Sequence, residues 1–164
     1  KFLHYFTFLP LEDIDSIEAA DAAAEGRPQA QAVLAREATR LVHGEEGLNA
    51  ALRITEALFS GDPNALSEQD FQQLRQDGLS SSLLADADLQ ENPLTNLLTE
   101  CGMAKAGREV KDALGRNSVF VNGHAKGAQD NMNSASIFAS EQALYGRFFL
   151  VRLGKKKYHI FERV

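Results

Sequence analysis

With 164 residues, 44% of them apolar, the chain is long enough for one medium-sized domain or two small ones. Its single cysteine, Cys101, excludes an intrachain disulfide and a thiolate zinc cluster, and it favours a reducing, cytoplasmic location. The net charge of −6 is unevenly distributed: residues 1–92 carry 6 Lys and Arg against 17 Asp and Glu, whereas residues 93–164 carry 11 against 6. A basic segment after an acidic one favours two domains, of which the second binds a polyanion such as a nucleic acid.

Several kinds of site are not expected from this sequence. The four histidines are scattered without metal-ligand spacing, so no metal site is predicted. No catalytic triad or phosphate-binding glycine loop occurs, and no catalytic residue is predicted. No apolar run reaches the roughly 20 residues of a membrane span, so a membrane partner is not expected. Because the chain opens on Lys1 inside an apolar stretch, we expect a fragment of a longer protein.

Helical periodicity predicts a small helical bundle over residues 1–77. Residues 2–8 are typical of the end of a helix, and apolar residues then recur at helical spacing in three segments and again after Ser67. The three segments are 11–25, 29–43 and 45–59. Proline and glycine positions separate them, namely Pro10, residues 26–28, Gly44 and residues 60–63. Ser67 and Asp70 have the spacing of a capping box that begins the next helix.

Residues 78–92 are polar and acidic and contain few apolar anchors. This composition predicts a linker, and a loosely packed extra turn of helix is the alternative.

Residues 93–164 are predicted to form an α+β module. Leu94, Leu97 and Leu98 indicate a short helix that ends near Gly102. The expected elements that follow are a helix over 105–116, a strand over 119–121, a tight Asn122-Gly123 turn, a long polar loop over 124–141, and a hairpin of 147–152 with 157–161. The hairpin has a basic tip at Gly154-Lys155-Lys156.

The cations of this module are the candidate nucleic-acid-binding residues. On a helical wheel, the four cations of residues 105–116 fall within about 140° of arc, opposite the apolar side chains. The expected RNA-contacting set is Lys105, Arg108, Lys111, Arg116, Lys126, Arg147, Arg152, Lys155, Lys156 and Lys157. A surface of this kind suits folded RNA, whose phosphates and 2′-hydroxyls are recognised more than base edges. For each of these residues taken alone, simple solvation of a charged side chain is the better explanation, but the concentration of the whole set in 72 residues favours nucleic-acid contact.

Two longer stretches resemble the helical domain of bacterial tyrosyl-tRNA synthetases. These are Thr-Arg-Leu-Val-His-Gly-Glu-Glu-Gly-Leu at 39–48 and Arg-Ile-Thr-Glu-Ala-Leu-Phe-Ser-Gly at 53–61. Phe-Thr-Phe-Leu at 6–9, Gly-Arg-Phe at 146–148 and Gly-Lys-Lys-Lys-Tyr at 154–158 resemble the same family. The strand and turn at 119–123 resemble the end of the αL RNA-binding fold that this family shares with a ribosomal small-subunit protein.

The resemblance implies a C-terminal fragment with two RNA-binding domains. Residues 1–77 would be the helical anticodon-binding domain, 78–92 the linker, and 93–164 the αL-type domain. Together they would hold tRNA(Tyr) by its anticodon arm and its long variable arm. The parent enzyme would be a class I tyrosine--tRNA ligase.

The resemblance also implies that this fragment has neither enzymatic activity nor a cofactor of its own. The parent enzyme would use ATP and Mg in a Rossmann domain, whose two nucleotide motifs do not occur in this sequence. Since the family dimerises through that domain, we expect this fragment to be a cytoplasmic monomer.

Two positions depart from the family pattern. The second αL helix usually begins with a serine and a basic residue, where this chain has Ala106 and Gly107. The loop over 124–141 is also longer than the family leads us to expect. Two alternatives stay open: an αL-type RNA-binding protein of another pathway, and a helical protein-interaction module.

Overall fold

The computed structural model describes residues 1–60 and 62–164, apart from the side chain of Glu91. These residues divide into two compact units, Lys1–Arg53 and Ile54–Val164. This division differs from the domain boundaries predicted at residues 77 and 93. The change from acidic to basic composition near residue 92 therefore falls inside the second unit rather than between domains.

The first unit is helical, with α1 (Phe2–Phe6), α2 (Leu11–Ala23) and residues 29–53 of α3 (Gln29–Ser60). The carboxylate of Asp21 accepts hydrogen bonds from the backbone N–H groups of Gln29 and Ala30, at 2.6 and 2.9 Å, and so caps the start of α3. Gly44 interrupts α3 with φ 71° and ψ −176°, a conformation that suits glycine. The predicted boundary between two helices at Gly44 is confirmed as this break. Gly61, part of the predicted stop at 60–63, lies outside the described residues.

The second unit is built on a five-stranded sheet. Its strands are β1 (Ser81–Leu84), β2 (Val119–Val121), β3 (His124–Lys126), β4 (Phe148–Leu153) and β5 (Lys157–Arg163), in the order β1-β5-β4-β2-β3. β1 pairs parallel with β5, and the other pairs are antiparallel. The predicted basic-tipped hairpin is confirmed as β4 and β5, with Leu153 opposite Lys157 across the turn. The α+β fold class is confirmed.

Helices cover both faces of the sheet. Along β4, Phe149, Val151 and Leu153 join a core with α6 (Leu94–Glu100) and α7 (Gly107–Gly115). Phe148 and Leu150 point to the other face, because side chains alternate along a strand. There they pack with residues from the end of α3 and from α4 (Glu68–Gln76). Helix α4 and the end of α3 therefore pack on this sheet, although the sequence predicted them as part of a separate helical bundle.

The stretch predicted as a linker is ordered against the sheet. Residues 78–92 contain β1 and the short helix α5 (Asp86–Glu91), and Leu84 is buried. The ring nitrogens of His159 lie 2.9 Å from the Ser80 hydroxyl and 3.0 Å from the Ser82 hydroxyl. The polar side chains that suggested a linker therefore bond to the sheet, and this corrects the prediction.

The stretch predicted as a long polar loop is also structured. Residues 124–141 contain β3, a 3-10 turn at Ala128–Asp130 and the short helix α8 (Ser134–Ile137). Asn131 caps α6: its side-chain oxygen accepts from the N–H of Thr95 at 3.0 Å, and its backbone oxygen accepts from the N–H of Leu94 at 2.7 Å. Asn131, a polar residue of the predicted loop, thus stabilises a helix end, and the ordered structure of this stretch corrects the prediction.

Candidate nucleic-acid interface

Helix α7 presents one basic and one buried face. Val110, Ala113 and Leu114 are buried, whereas Arg108 and Lys111 are exposed on the opposite side. Lys105 was predicted inside this helix but precedes it. The backbone turns before Gly107, where Ala106 is extended at φ −154°, and the Lys105 N–H donates to the Glu109 carboxylate at 3.0 Å.

An open cleft of about 370 Å³, which we call the basic cleft, lies between the end of α7, the start of β2 and the β4–β5 turn. It is lined by Glu109, Ala113, Arg116, Ser118, Leu153, Gly154, Lys155, Lys156 and Lys157. Gly154 has a φ of 65°, as the tight turn requires, and its N–H donates to the Ser118 carbonyl at 2.8 Å. This bond fixes the hairpin tip beside β2, so that the tip lysines and Arg116 line the same cleft.

The cations of the basic cleft differ in their contacts. Lys157 Nζ donates to Glu109 Oε1 at 2.7 Å and to the Met103 carbonyl at 3.0 Å. Lys157 holds the pKa of the Glu109 carboxyl below its usual range, mainly through this hydrogen bond. The side chains of Arg116, Lys155 and Lys156 are exposed, and none of the described residues forms an ion pair with them. These three cations are therefore available to an external anion.

Lys126 lies on the same face and at the same end of the sheet. In the strand register Lys157 is opposite Leu153, Leu153 is opposite Val119, and Val119 is opposite Lys126. Three strand spacings separate the two lysine backbones, which is about 14 Å. Lys126 therefore flanks the basic cleft rather than lining it.

Two predicted candidates lie elsewhere. Arg147 precedes β4 at its opposite end, about 20 Å along the strand from the turn, and forms ion pairs with Glu68 at 2.7 Å and Glu162 at 3.2 Å. Arg152 faces the other side of the sheet, with its guanidinium 4.0 Å from the centre of the Phe120 ring. The structure therefore does not bring Arg147 and Arg152 together with the cleft cations.

Sequence reasoning missed the contribution of Glu109. Glu109 was not among the predicted site residues, yet its carboxylate bonds to both Lys105 and Lys157. The sequence did hold a signal for this contact. Glu109 is the third residue of α7, and a carboxylate at this position commonly accepts a hydrogen bond from a backbone N–H just before the helix.

A metal-binding cluster and a membrane-spanning helix are both absent from the described part of the chain. No group of three or more His, Cys, Asp or Glu residues within 1–60 and 62–164 could hold a metal ion. In the same residues, no helix combines the length and the apolar character that spanning a membrane requires.

A family model described as "Tyrosine--tRNA ligase SYY-like C-terminal domain" matches residues 70–161, more than half of the chain. This chain belongs to that family. The match contains the whole basic cleft and all ten cations predicted from the sequence.

Curated relatives of the tyrosine--tRNA ligase family extend the similarity beyond the matched domain. The "Tyrosine--tRNA ligase" of Aliivibrio fischeri strain MJ11 is 41% identical over 161 residues, which cover 98% of this chain and 36% of the relative. That of Dechloromonas aromatica is 44% identical over 158 residues, covering 96% of this chain and 35% of the relative. "Tyrosine--tRNA ligase 1" of Vibrio parahaemolyticus is 43% identical over 162 residues, which cover 99% of this chain and 36% of the relative. The chain thus spans about a third of the length of these relatives.

The departure at Ala106 and Gly107 has a visible structural consequence in this member of the family. Ala106 occupies the N-cap position of α7 and supplies no side-chain hydrogen bond to the helix. The contact between the Lys105 N–H and Glu109 instead closes the start of the helix. The start of α7 is therefore held by a carboxylate that also lines the basic cleft.

Proposed function

We propose that this chain is the tRNA-binding part of a tyrosine--tRNA ligase and that it binds tRNA(Tyr) through the basic cleft. The observation that carries the proposal is the set of exposed cations without ion-pair partners among the described residues, Arg116, Lys155 and Lys156, within a domain of this family. Lysine and arginine side chains of this kind replace condensed counterions on a phosphate backbone and so gain affinity.

The remaining candidates divide by their contacts. We propose Lys105, Arg108, Lys111 and Lys126 as additional phosphate contacts around the cleft. Lys157, Arg147 and Arg152 are engaged within the domain, with Glu109, Glu162 and Phe120 respectively. For these three we propose a role in shaping the domain, with a smaller share of the RNA contacts.

In the complete protein, the helical N-terminal residues would contact the anticodon arm and the α+β part would contact the long variable arm. Attachment of tyrosine, with ATP and Mg, would take place in a separate catalytic domain in the cytoplasm, and that domain would also form the homodimer. The present chain would act as a monomeric binding module without catalysis of its own.

Binding to two tRNAs tests this function. The chain is titrated against labelled tRNA(Tyr) and against a tRNA with a short variable arm, at the same modest salt concentration. We expect tighter binding to tRNA(Tyr), because the long arm offers additional phosphates. Equal affinities would reduce the interaction to general electrostatics, and the absence of any complex would contradict the proposal.

A protein-interaction surface is a second candidate, favoured by one observation in the first unit. Phe2, Tyr5 and Phe8 are 64%, 69% and 89% exposed, an unusual concentration of large apolar side chains at a surface. This function predicts no affinity for tRNA, so the same titration separates the two candidates.

A further inference from the structure

The basic cleft combines an apolar floor with a cationic rim, the two features that a nucleotide requires. Ala113 and Leu153 line it and also belong to the buried core, each with 5% of its surface exposed. Arg116, Lys155 and Lys156 form the cationic part. A volume of about 370 Å³ lies within the range of small-molecule sites. Binding of backbone phosphates alone requires neither a concavity nor an apolar floor.

Small residues keep this cleft open. Ala113, Ser118 and Gly154 contribute little side-chain volume. The Ser118 hydroxyl donates to the Arg116 carbonyl at 3.3 Å, and the positive φ of Gly154 disfavours any larger residue there. The cleft is therefore not filled by side chains of its own domain.

Glu109 places a carboxylate among these cations. One of its oxygens accepts from Lys157 and the other from the Lys105 N–H, yet each carboxylate oxygen can accept a second hydrogen bond. The Glu109 side chain is 41% exposed, so this remaining capacity is accessible. A carboxylate repels a phosphate group, and it accepts hydrogen bonds from hydroxyl or amino groups. The donor that distinguishes RNA from DNA at such a position is the 2′-hydroxyl.

We infer that the basic cleft binds one unpaired ribonucleotide of an RNA strand, with its phosphate on Arg116, Lys155 and Lys156 and its 2′-hydroxyl donating to Glu109. The base of an unpaired nucleotide is free to contact the apolar floor, whereas a paired base stays in its stack. This inference rests on the proposed function and adds to it the class of nucleotide bound and the residue that discriminates RNA from DNA.

Paired RNA and DNA oligonucleotides test the inference. The chain is titrated by fluorescence anisotropy with a labelled single-stranded RNA hexamer and with the DNA hexamer of the corresponding sequence, at one salt concentration. We expect the wild-type chain to bind RNA about tenfold more tightly than DNA, the size of one hydrogen bond to a charged acceptor. In E109A the ratio should fall below about twofold.

Asp112 supplies the matched control. It is an exposed acid on α7 that does not line the cleft, so D112A removes the same charge without removing the cleft acceptor. The loss of negative charge alone should strengthen RNA and DNA binding by the same factor, so the RNA-to-DNA ratio of D112A should equal that of the wild type. E109A gains the same charge effect but also loses the acceptor of the 2′-hydroxyl, so only E109A should change the ratio. Thermal unfolding verifies that each variant is folded.

The outcomes separate the inference from the proposed function. Equal binding of the two hexamers by the wild-type chain, or an equal change of the ratio in E109A and D112A, overturns the inference while tRNA(Tyr) binding still supports the function. Failure of the wild-type chain to bind tRNA(Tyr) overturns both.

Discussion

Glu109 on α7 and Lys157 at the start of β5 are joined by a 2.7 Å hydrogen bond although 48 residues separate them in the sequence. The bond fastens the hairpin to the helix, and the Met103 carbonyl accepts a second hydrogen bond from Lys157. Three consecutive lysines therefore have unequal roles. Lys157 is held by its own domain, while Lys155 and Lys156 extend into solvent.

Neutralising the cleft cations should reduce the salt dependence of RNA binding. In a variant with Arg116, Lys155 and Lys156 all changed to Gln, the slope of log affinity against log salt concentration should decrease in magnitude by about 2–3, because each lost phosphate contact removes about 0.7–0.9. Affinity is measured for tRNA(Tyr) at four salt concentrations. An unchanged slope would remove the cleft from the contact surface.

Single substitutions should rank the cations of this domain by how much each contributes to the salt dependence of RNA binding. K157Q should change the slope less than K155Q or K156Q, because Lys157 already donates to Glu109 and Met103. R147Q should leave the slope nearly unchanged and lower the melting temperature, because Arg147 pairs with Glu68 and Glu162. A slope change for R147Q as large as that for K155Q would contradict this ranking.

Asn131 should contribute to stability as the cap of α6. N131A removes the acceptor of the Thr95 N–H and should lower the free energy of unfolding by about 1 kcal/mol. N131D keeps an acceptor at the helix start and should retain most of the stability. Urea unfolding measures both variants. N133A is the matched control, since the side chain of exposed Asn133 donates to the nearby Gln129 carbonyl and caps no helix. A loss as large as that of N131A would contradict the capping role.

Local signals in the sequence predicted the elements that depend on local chemistry. The break at Gly44, the Ser67–Asp70 capping box, and the turn at Asn122 are all confirmed. Each depends on a backbone conformation or a hydrogen bond within a few residues, which a sequence pattern encodes directly. The basic character of residues 105–116 and of the hairpin tip followed from composition in the same way.

Features that depend on distant partners could not be predicted. Residues 81–84 are polar serines and two leucines, and only pairing with β5 makes them a strand. Leu52 and Phe59 belong to the apolar periodicity of segment 45–59, yet they are 41% and 85% exposed, because periodicity aligns apolar residues without supplying an element to cover them. The cleft required Glu109 and Lys157 to meet across 48 residues, and no local pattern encodes that distance.

Asn122 should contribute more to the free energy of unfolding than its place in a turn alone would suggest. It has a φ of 48°, its side-chain NH₂ donates to the Gln142 carbonyl at 2.8 Å, and its side-chain oxygen accepts from the Leu150 N–H at 2.8 Å. N122A should lower the free energy of unfolding by about 3 kcal/mol, because it leaves a buried N–H without its acceptor and strains the backbone.

Asn117 provides the comparison for this substitution. It also has a positive φ, of 50°, but it is exposed. N117A should therefore cost only the backbone term, about 1 kcal/mol. Equal losses for N117A and N122A in urea unfolding would show that the side-chain bonds of Asn122 contribute nothing.

His159 should make the stability of the chain depend on pH. Its ring is buried between β5 and β1, and this burial lowers its pKa from the ordinary 6.5 to about 4. Between these two values the unfolded chain binds a proton that the folded chain does not. Stability is therefore constant with respect to this group above about pH 6.5 and falls as the pH decreases towards 4, by an amount of the order of 2 kcal/mol.

Unfolding by urea at pH 7.5, 6, 5 and 4.5 measures this dependence in the wild-type chain and in H159F. Phenylalanine keeps a ring beside Phe161, whose centre lies 4.5 Å from that of His159, but it cannot be protonated. The difference between the two chains isolates the histidine, because carboxylates such as Glu109 titrate in both. The stability of H159F should fall less between pH 7.5 and 4.5 than that of the wild type. Parallel curves would show that protonation of His159 costs nothing, and the ring would then be solvated despite its burial.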